Sequence, residues 1–276
     1  MNRRIIGLLP AGGQATRISP LPLSKELYPI GFQVKNICYQ NNFNDKENKL
    51  RPKVVSHYLL EKMRLAGIET AYFILRPGKW DIPAYFGDGS MLEMNLGYLM
   101  MGLPHGVPFT LDQAYPFVQD AIVALGFPDI LFEPLDGFQR IIARQAKLGA
   151  DVVLGLFPTE QPQKAGMVDF DSTGKVRLIV EKPPQSNLRY MWAIAVWAPT
   201  FTEFLHSFVS NLKLTNDLLS LPELPIGNVI QAAIEQGMRV EAEVFDNGSY
   251  LDIGTPSDLM LAVQKFSGYS NNQFSD

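Results

Sequence analysis

The sequence predicts an α/β fold: a Rossmann-like, mostly parallel mixed sheet flanked by helices on both faces, with a small β-hairpin part. Three observations carry this. Short, continuously apolar runs recur along the chain, and helical patterns of several turns lie between them. After residue 158 that alternation gives way to two strand-like runs joined by a tight, turn-rich tetrapeptide.

The runs RIIGLLP (4–10), TAYFILR (70–76), AIVALGF (121–127) and ADVVLGLF (150–157) are apolar throughout, as expected of strands buried on both faces. In 54–68, Val55, Tyr58, Leu59, Met63 and Ala66 share one helical face and Gly67 supplies a stop. In 134–149, Leu135, Phe138, Ile141, Ile142 and Leu148 do the same, ending at Gly149. Residues 166–183 read as a hairpin turning at Asp171-Ser172-Thr173-Gly174, and 190–199 as a further strand. The last helix has a capping signal: Thr255 at the cap, Pro256 at the first helical position and Asp258 three residues past the cap.

These elements make residues 1–267 one domain, with the hairpin part in 159–200 and a frayed tail at 268–276. Residues 33–52 are polar and aperiodic, and predict an exposed insertion, either a lid or an interface arm; the latter is compatible with a homo-oligomer. Trp192 and Trp197 read as sheet packing, and MLEMNLGYLMMG (91–102) as core or interface rather than a ligand pocket.

The net charge of −4 over 276 residues argues against nucleic acid as a main partner, while leaving room for a local cationic pocket. One cysteine, Cys38, cannot form an internal disulfide, and His57, His105 and His206 are too scattered to make a zinc site. The N-terminal apolar run is too short for a signal peptide, and no apolar segment approaches the ~20 residues needed to span a bilayer. The expectation is a cytoplasmic protein with no membrane partner.

The stretch 10–30, PAGGQATRISPLPLSKELYPI, raises the functional question. Glycines just past a strand let the backbone turn and approach a ligand, and successive N–H groups in such a turn make an anion site. Pro20, Pro22 and Pro29 impose an extended loop that presents Arg17 and Lys25 as two separate cations around one cavity. Neither of two better-known phosphate-loop spacings, G-x-x-x-x-G-K-[ST] or G-x-G-x-x-G, is met.

This stretch resembles the nucleotide-binding segment of the sugar-1-phosphate nucleotidylyltransferases, among them the dTDP-glucose and UDP-glucose pyrophosphorylases. Five further segments resemble the same family in the same order: RPKVVSHYLLEKMRLAGIE (51–69), FTLDQAYPF (109–117), ALGFPDILF (124–132), AGMVDFDSTGKVRLIVEKP (165–183) and GSYLDIGTPSDLMLA (248–262). The resemblance implies the nucleotide-diphospho-sugar transferase fold and attack of a sugar 1-phosphate on a nucleoside triphosphate, with release of pyrophosphate. Glucose 1-phosphate and dTTP or UTP are the implied substrates. It assigns Ala11, Gly12, Gly13, Arg17, Lys25 and Thr110 to the nucleotide, and Gly166, Glu181 and Lys182 to the sugar phosphate. Asp129 and Asp252 would hold Mg²⁺, and Arg17, Lys25 and Lys182 would be the catalytic cations.

That reaction suits the residues present. A phosphate monoester with a second pKa of about 6 is already mostly ionised near neutrality, so no general base is required. The difficulty is bringing two anions into line, which calls for cations, positioning and a hard divalent ion. Three departures from the family pattern stand out. Ala15 replaces the second glycine, at a cost of roughly 1 kcal/mol if φ stays positive. Phe127 occupies the usual position of the first metal aspartate, so Asp129 reaches the metal only if Pro128 turns the chain. Thr110 stands where a glycine usually admits the base, with Met101 near the base-reading glutamine. These departures motivate the alternative of a non-catalytic nucleotide-sugar-binding or regulatory homologue. A glycosyltransferase would need an Asp-x-Asp metal pair. The one match, Asp169-Phe170-Asp171, falls in the hairpin and reads as structural.

Overall fold

The computed structural model describes residues 3–35, 49–102, 105–215, 217 and 222–267. The N-terminal half runs β1 (Ile5–Ala11), β2 (Pro29–Lys35), β3 (Lys49–Val54), α1 (Val55–Leu65), β4 (Thr70–Leu75), α2 (Asp81–Phe86), β5 (Asn95–Met100), α3 (Val107–Asp112), α4 (Tyr115–Val118) and β6 (Ile122–Gly126). It continues through β7 (Ile130–Glu133), α5 (Gly137–Leu148), β8 (Val152–Pro158), β9 (Gly166–Phe170), β10 (Val176–Glu181) and β11 (Tyr190–Trp197). The chain then closes with α6 (Pro199–Thr215), α7 (Ile226–Glu235), β12 (Val240–Val244), β13 (Ser249–Asp252) and α8 (Pro256–Phe266).

The main sheet has nine strands. Its path is β10-β9-β11-β6-β1-β4-β5, and β8 pairs with the other edge of β11 and carries β12. Seven strands (β1, β4, β5, β6, β8, β9 and β12) point one way, while β10 and β11 run against them. The chain is therefore α/β with a mostly parallel mixed sheet. The alternation of side chains along each strand feeds two cores. In β8, Val152, Leu154 and Leu156 pack with α3, α6 and α7. Val153 and Phe157 of the same strand pack with α1, α2 and α5 on the opposite face.

The predicted strands fall within a residue or two of those observed. The 166–183 hairpin forms as β9 and β10, with Gly174 at φ 90° and the Asp171 carboxylate accepting the Thr173 and Lys175 N–H groups. The Thr173 hydroxyl, which also donates to Asp171, and after it those N–H groups hold the Asp171 carboxyl down at about 2, so Asp171 belongs to the hairpin structure. The α8 cap also forms, with the Asp258 N–H donating to Thr255 Oγ1. Gly149 ends α5 in the left-handed conformation at φ 58°.

Two readings need correction. Leu135 precedes α5 and is 52% exposed instead of belonging to its inner face, because α5 begins only at Gly137. The 33–52 segment is not uniformly irregular: residues 33–35 and 49–52 belong to β2 and β3, which pair antiparallel. Residues 36–48 and the 268–276 tail lie outside the described residues. Two small sheets complete the architecture, β2 with β3 and β7 with β13. The second is decisive for the site, because its register sets Asp252 opposite Ile130. Among the described residues no helix is long and apolar enough to cross a membrane.

Candidate active site

The strand ends of β1, β4 and β6 open onto a cavity of about 500 Å³ lined by Gly12, Gly13, Gln14, Thr16, Lys25, Glu26, Arg76, Met101, Thr110 and Asp129. A second cavity of about 300 Å³ is lined by Asp129, Lys164, Gly166, Glu181, Lys182, Trp192 and Asp252. Asp129, Val107, Phe127 and Glu223 line both, so the two adjoin. Strand ends are where open α/β sheets gather ligands.

Each wall has a local cause. After β1 the chain turns at Ala15, whose φ is 55° and whose carbonyl accepts the N–H groups of Ile18 and Ser19. The position thus keeps the left-handed conformation with a residue that strains there, at roughly 1 kcal/mol relative to glycine. Gly12 is a close-approach position: a Cβ there would come 2.5 Å from Met101 Sδ and 3.7 Å from Thr110 Oγ1. Thr110 is buried, and its hydroxyl donates back to the Gly106 carbonyl. Lys25 and Glu26 sit in a short 3₁₀ turn, Lys25–Leu27.

Asp129 reaches the cleft through a turn. The Ile130 N–H donates to the Phe127 carbonyl at 3.0 Å, with Pro128 and Asp129 at the two central positions. The Ile253 N–H then donates to the Asp129 carbonyl, fastening this turn to the end of β13. Lys25 Nζ donates to Asp129 Oδ2, and Arg17 lies 4.0 Å from Asp252 on the outer side. Burial, the largest single influence, works against the Lys25 charge, but Asp129, with Asp252 and Glu26 adding to it, raises the ammonium above its usual value. Burial, with the neighbouring Asp129 charge second, pushes the Asp252 carboxyl up to about 6. The two aspartates, Lys25 and Arg17 therefore form one charge cluster.

On the other side, the hairpin places Gly166 opposite Glu181. A Cβ on Gly166 would meet Trp192 Nε1 at 2.6 Å and Glu181 Oε1 at 2.7 Å, and one on Gly227 would overlap Glu181 Oε1. Glu181 is thus wedged between two glycines. Burial raises its pKa, while the Lys182 charge, the Trp192 indole and the Gly227 N–H oppose the rise. Lys182 follows with φ 45°, a left-handed conformation unusual for a lysine.

Nine of the eleven residues singled out from the sequence line one or other cavity: Gly12, Gly13, Lys25, Thr110, Asp129, Gly166, Glu181, Lys182 and Asp252. Two stand apart. Arg17 lines neither cavity, and its side chain is 63% exposed beside Asp252. The Ala11 methyl is buried in the core at the end of β1, which leaves only its backbone for a ligand. Sequence reasoning missed Glu26, Lys79 and Arg76. Glu26 is 1% exposed and takes Lys79 Nζ at 2.5 Å, a pairing across 53 residues that leaves no local signal. Met101 and Trp192 serve as both packing and cavity wall, which their apolar contexts did not distinguish. Trp197 is core, as its sequence context suggests.

Residues 6–267 match the family model for nucleotidyl transferases. The chain belongs to that family. Among curated nucleotidyl transferases, the low-salt glycan biosynthesis nucleotidyltransferase of Haloferax volcanii is 26% identical over 265 residues. That match covers 94% of this chain, which spans only 65% of the Haloferax protein's length. A glucose-1-phosphate thymidylyltransferase of Mycolicibacterium smegmatis is 27% identical over 93% of this chain and 80% of its own. The fold is that of a solved UDP-glucose pyrophosphorylase complexed with UDP-glucose, with a TM-score of 0.72 at 17% identity over 95% of this chain and 98% of that one.

Proposed function

We propose that this nucleotidyl transferase joins a nucleoside triphosphate, dTTP or UTP, to a sugar 1-phosphate, glucose 1-phosphate first among them, and releases pyrophosphate. The observation that carries this is the meeting of two cavities at Asp129, one lined by Gly12, Gly13 and Lys25, the other by Glu181 and Lys182. In the reaction a phosphate oxygen of the sugar 1-phosphate forms a bond to the α-phosphorus, and the bond from that phosphorus to the β-phosphate oxygen breaks. Lys25 would face the departing pyrophosphate and Arg17 would support it from the rim. Lys182 would neutralise the incoming phosphate while Glu181 accepts sugar hydroxyls. Gly12 and Gly13, with the backbone of Ala11, would admit the triphosphate, and Thr110 would lie beside the base.

Asp129 and Asp252 fit Mg²⁺. Both are hard oxygen donors, and burial first, with the Asp129 charge second, raises the Asp252 carboxyl, so a dication beside the two would favour their charged forms. Mg²⁺ takes one or two carboxylates and completes its shell with phosphate and water, so two aspartates would suffice. When bound, Mg²⁺ would supply charge neutralisation for the phosphates.

The test is pyrophosphate release with Mg²⁺, each common nucleoside triphosphate, and glucose, galactose, mannose and N-acetylglucosamine 1-phosphates. No turnover with any pair would remove the proposal. The strained Ala15 and the presence of Phe127 in the walls of both cavities favour one second reading, a binding or regulatory homologue. That reading predicts a nucleotide-sugar-dependent rise in melting temperature that ignores Mg²⁺ and comes without turnover.

A sharper check targets Gly227. A methyl group there overlaps Glu181 Oε1, so Gly227→Ala must push the carboxylate aside. We expect the KM for the sugar 1-phosphate to rise roughly tenfold or more, given how steeply rate and binding respond to small misplacements, with the KM for the triphosphate unchanged. Equal changes in both would contradict the division of the cleft.

A further inference from the structure

Two lysines line the Glu181 cavity, and motif spacing singles out only Lys182. The other, Lys164, closes the 3₁₀ turn Pro162–Lys164. The next residue, Ala165, accepts the Lys182 N–H at 3.0 Å, and Gly166 then pairs with Glu181 across β9 and β10. The two lysines therefore leave adjoining backbone segments that are pinned to each other. Four carboxylates, Asp129, Glu181, Glu223 and Asp252, line the same cavity. An entering phosphate dianion needs a locally concentrated positive charge to overcome them.

Lys164 is available to supply it. Its Nζ lies 3.6 Å from Asp258 Oδ1, too far for a hydrogen bond, and the side chain is 40% exposed. Asp258 already has a partner in Thr255, whose hydroxyl donates to Oδ2 at 2.6 Å. Giving up such a long, solvated ion pair costs little, whereas an ammonium–phosphate contact is charge-assisted and short. A lysine, a flexible point charge, suits a movement from one anion to another.

We propose that Lys164 is a second phosphate-contacting cation for the sugar 1-phosphate, moving from Asp258 to the substrate as it enters beside Lys182. This rests on the function proposed above. The experiment compares wild type, Lys164→Met and Lys164→Arg, using the triphosphate and sugar 1-phosphate that wild type turns over fastest. In Lys164→Met the KM for the sugar 1-phosphate should rise about tenfold, the effect of losing one charge-assisted contact. The KM for the triphosphate and the melting temperature should barely move, and Lys164→Arg should restore most of the loss. Wild-type turnover with an unchanged sugar-phosphate KM in Lys164→Met overturns the proposal and leaves the function standing. A rise that arginine does not rescue, or one matched by the triphosphate KM, also overturns it. Absence of wild-type turnover with every pair would remove the function itself and the role of Lys164 with it.

Discussion

Asp252→Asn is expected to give a protein that melts higher near neutrality than its parent and has lost turnover by roughly 10²–10³, the scale for removing one transition-state electrostatic element. The stability gain follows from linkage. The Asp252 carboxyl titrates near 6 in the folded chain, raised first by burial and then by Asp129, against about 3.9 when unfolded. The folded state therefore binds the proton more readily. The resulting penalty is fully present above the folded value, shrinks as pH falls through it, and disappears below the unfolded value. About a third of the side chain remains exposed, so solvent screening discounts the gain to on the order of 1 kcal/mol, or roughly 2–4 °C in melting temperature. Metal-free melting curves near neutrality and in mild acid provide the check: wild type should gain on Asp252→Asn as the solution is acidified. Triphosphate binding should fall less than turnover. Equal loss of both, or a variant less stable at neutrality, would contradict the assignment.

Lys25→Gln should be harmful on both counts. Lys25 and Asp129 are mostly buried, with side chains 12% and 17% exposed. Removing the ammonium leaves Asp129 unpaired beside Asp252, and breaking such a pair costs roughly 3 kcal/mol. The raised Lys25 pKa means that its contribution is fully present at neutral pH and is lost only in strong alkali, as pH rises through the folded value. Urea denaturation near neutrality should show the full loss. In mild acid the loss should shrink, because the aspartate pair can then take up a proton. Turnover should drop by about 10²–10³ as a positive charge disappears from the triphosphate cavity. A Lys25→Gln protein that stays stable and active would show that the Lys25–Asp129 pair is incidental to the cleft.

Some of the site was legible because its causes are local. The prolines after Gly12 and Gly13 restrict only their own backbone, and that restriction extends the loop; the left-handed turn expected of the glycines falls instead at Ala15. Thr255, Pro256 and Asp258 lie within one helical turn of each other, so their cap could be read directly. The turn at Pro128 was legible as a condition: Asp129 could reach the cleft only if the chain bent there, and it bends. Glu26, Arg76 and Lys79 were not legible. A buried carboxylate and its lysine leave no periodic trace when 53 residues separate them. The inner face drawn through Leu135 failed for the opposite reason. A helical period extends past the true helix start whenever an apolar residue happens to fit it.

By itself the sequence determined the alternation of strands and helices, the two-sided burial of the sheet and the hairpin turn at Gly174. Each of these follows from hydrophobic period or backbone freedom within a few residues. Tertiary structure alone decided that β11 runs against β6 and β8, that β13 pairs with β7, and hence that Asp129 and Asp252 share one charge cluster. Strand direction and register are set by which apolar faces meet in the finished core, and no short stretch of chain encodes that meeting.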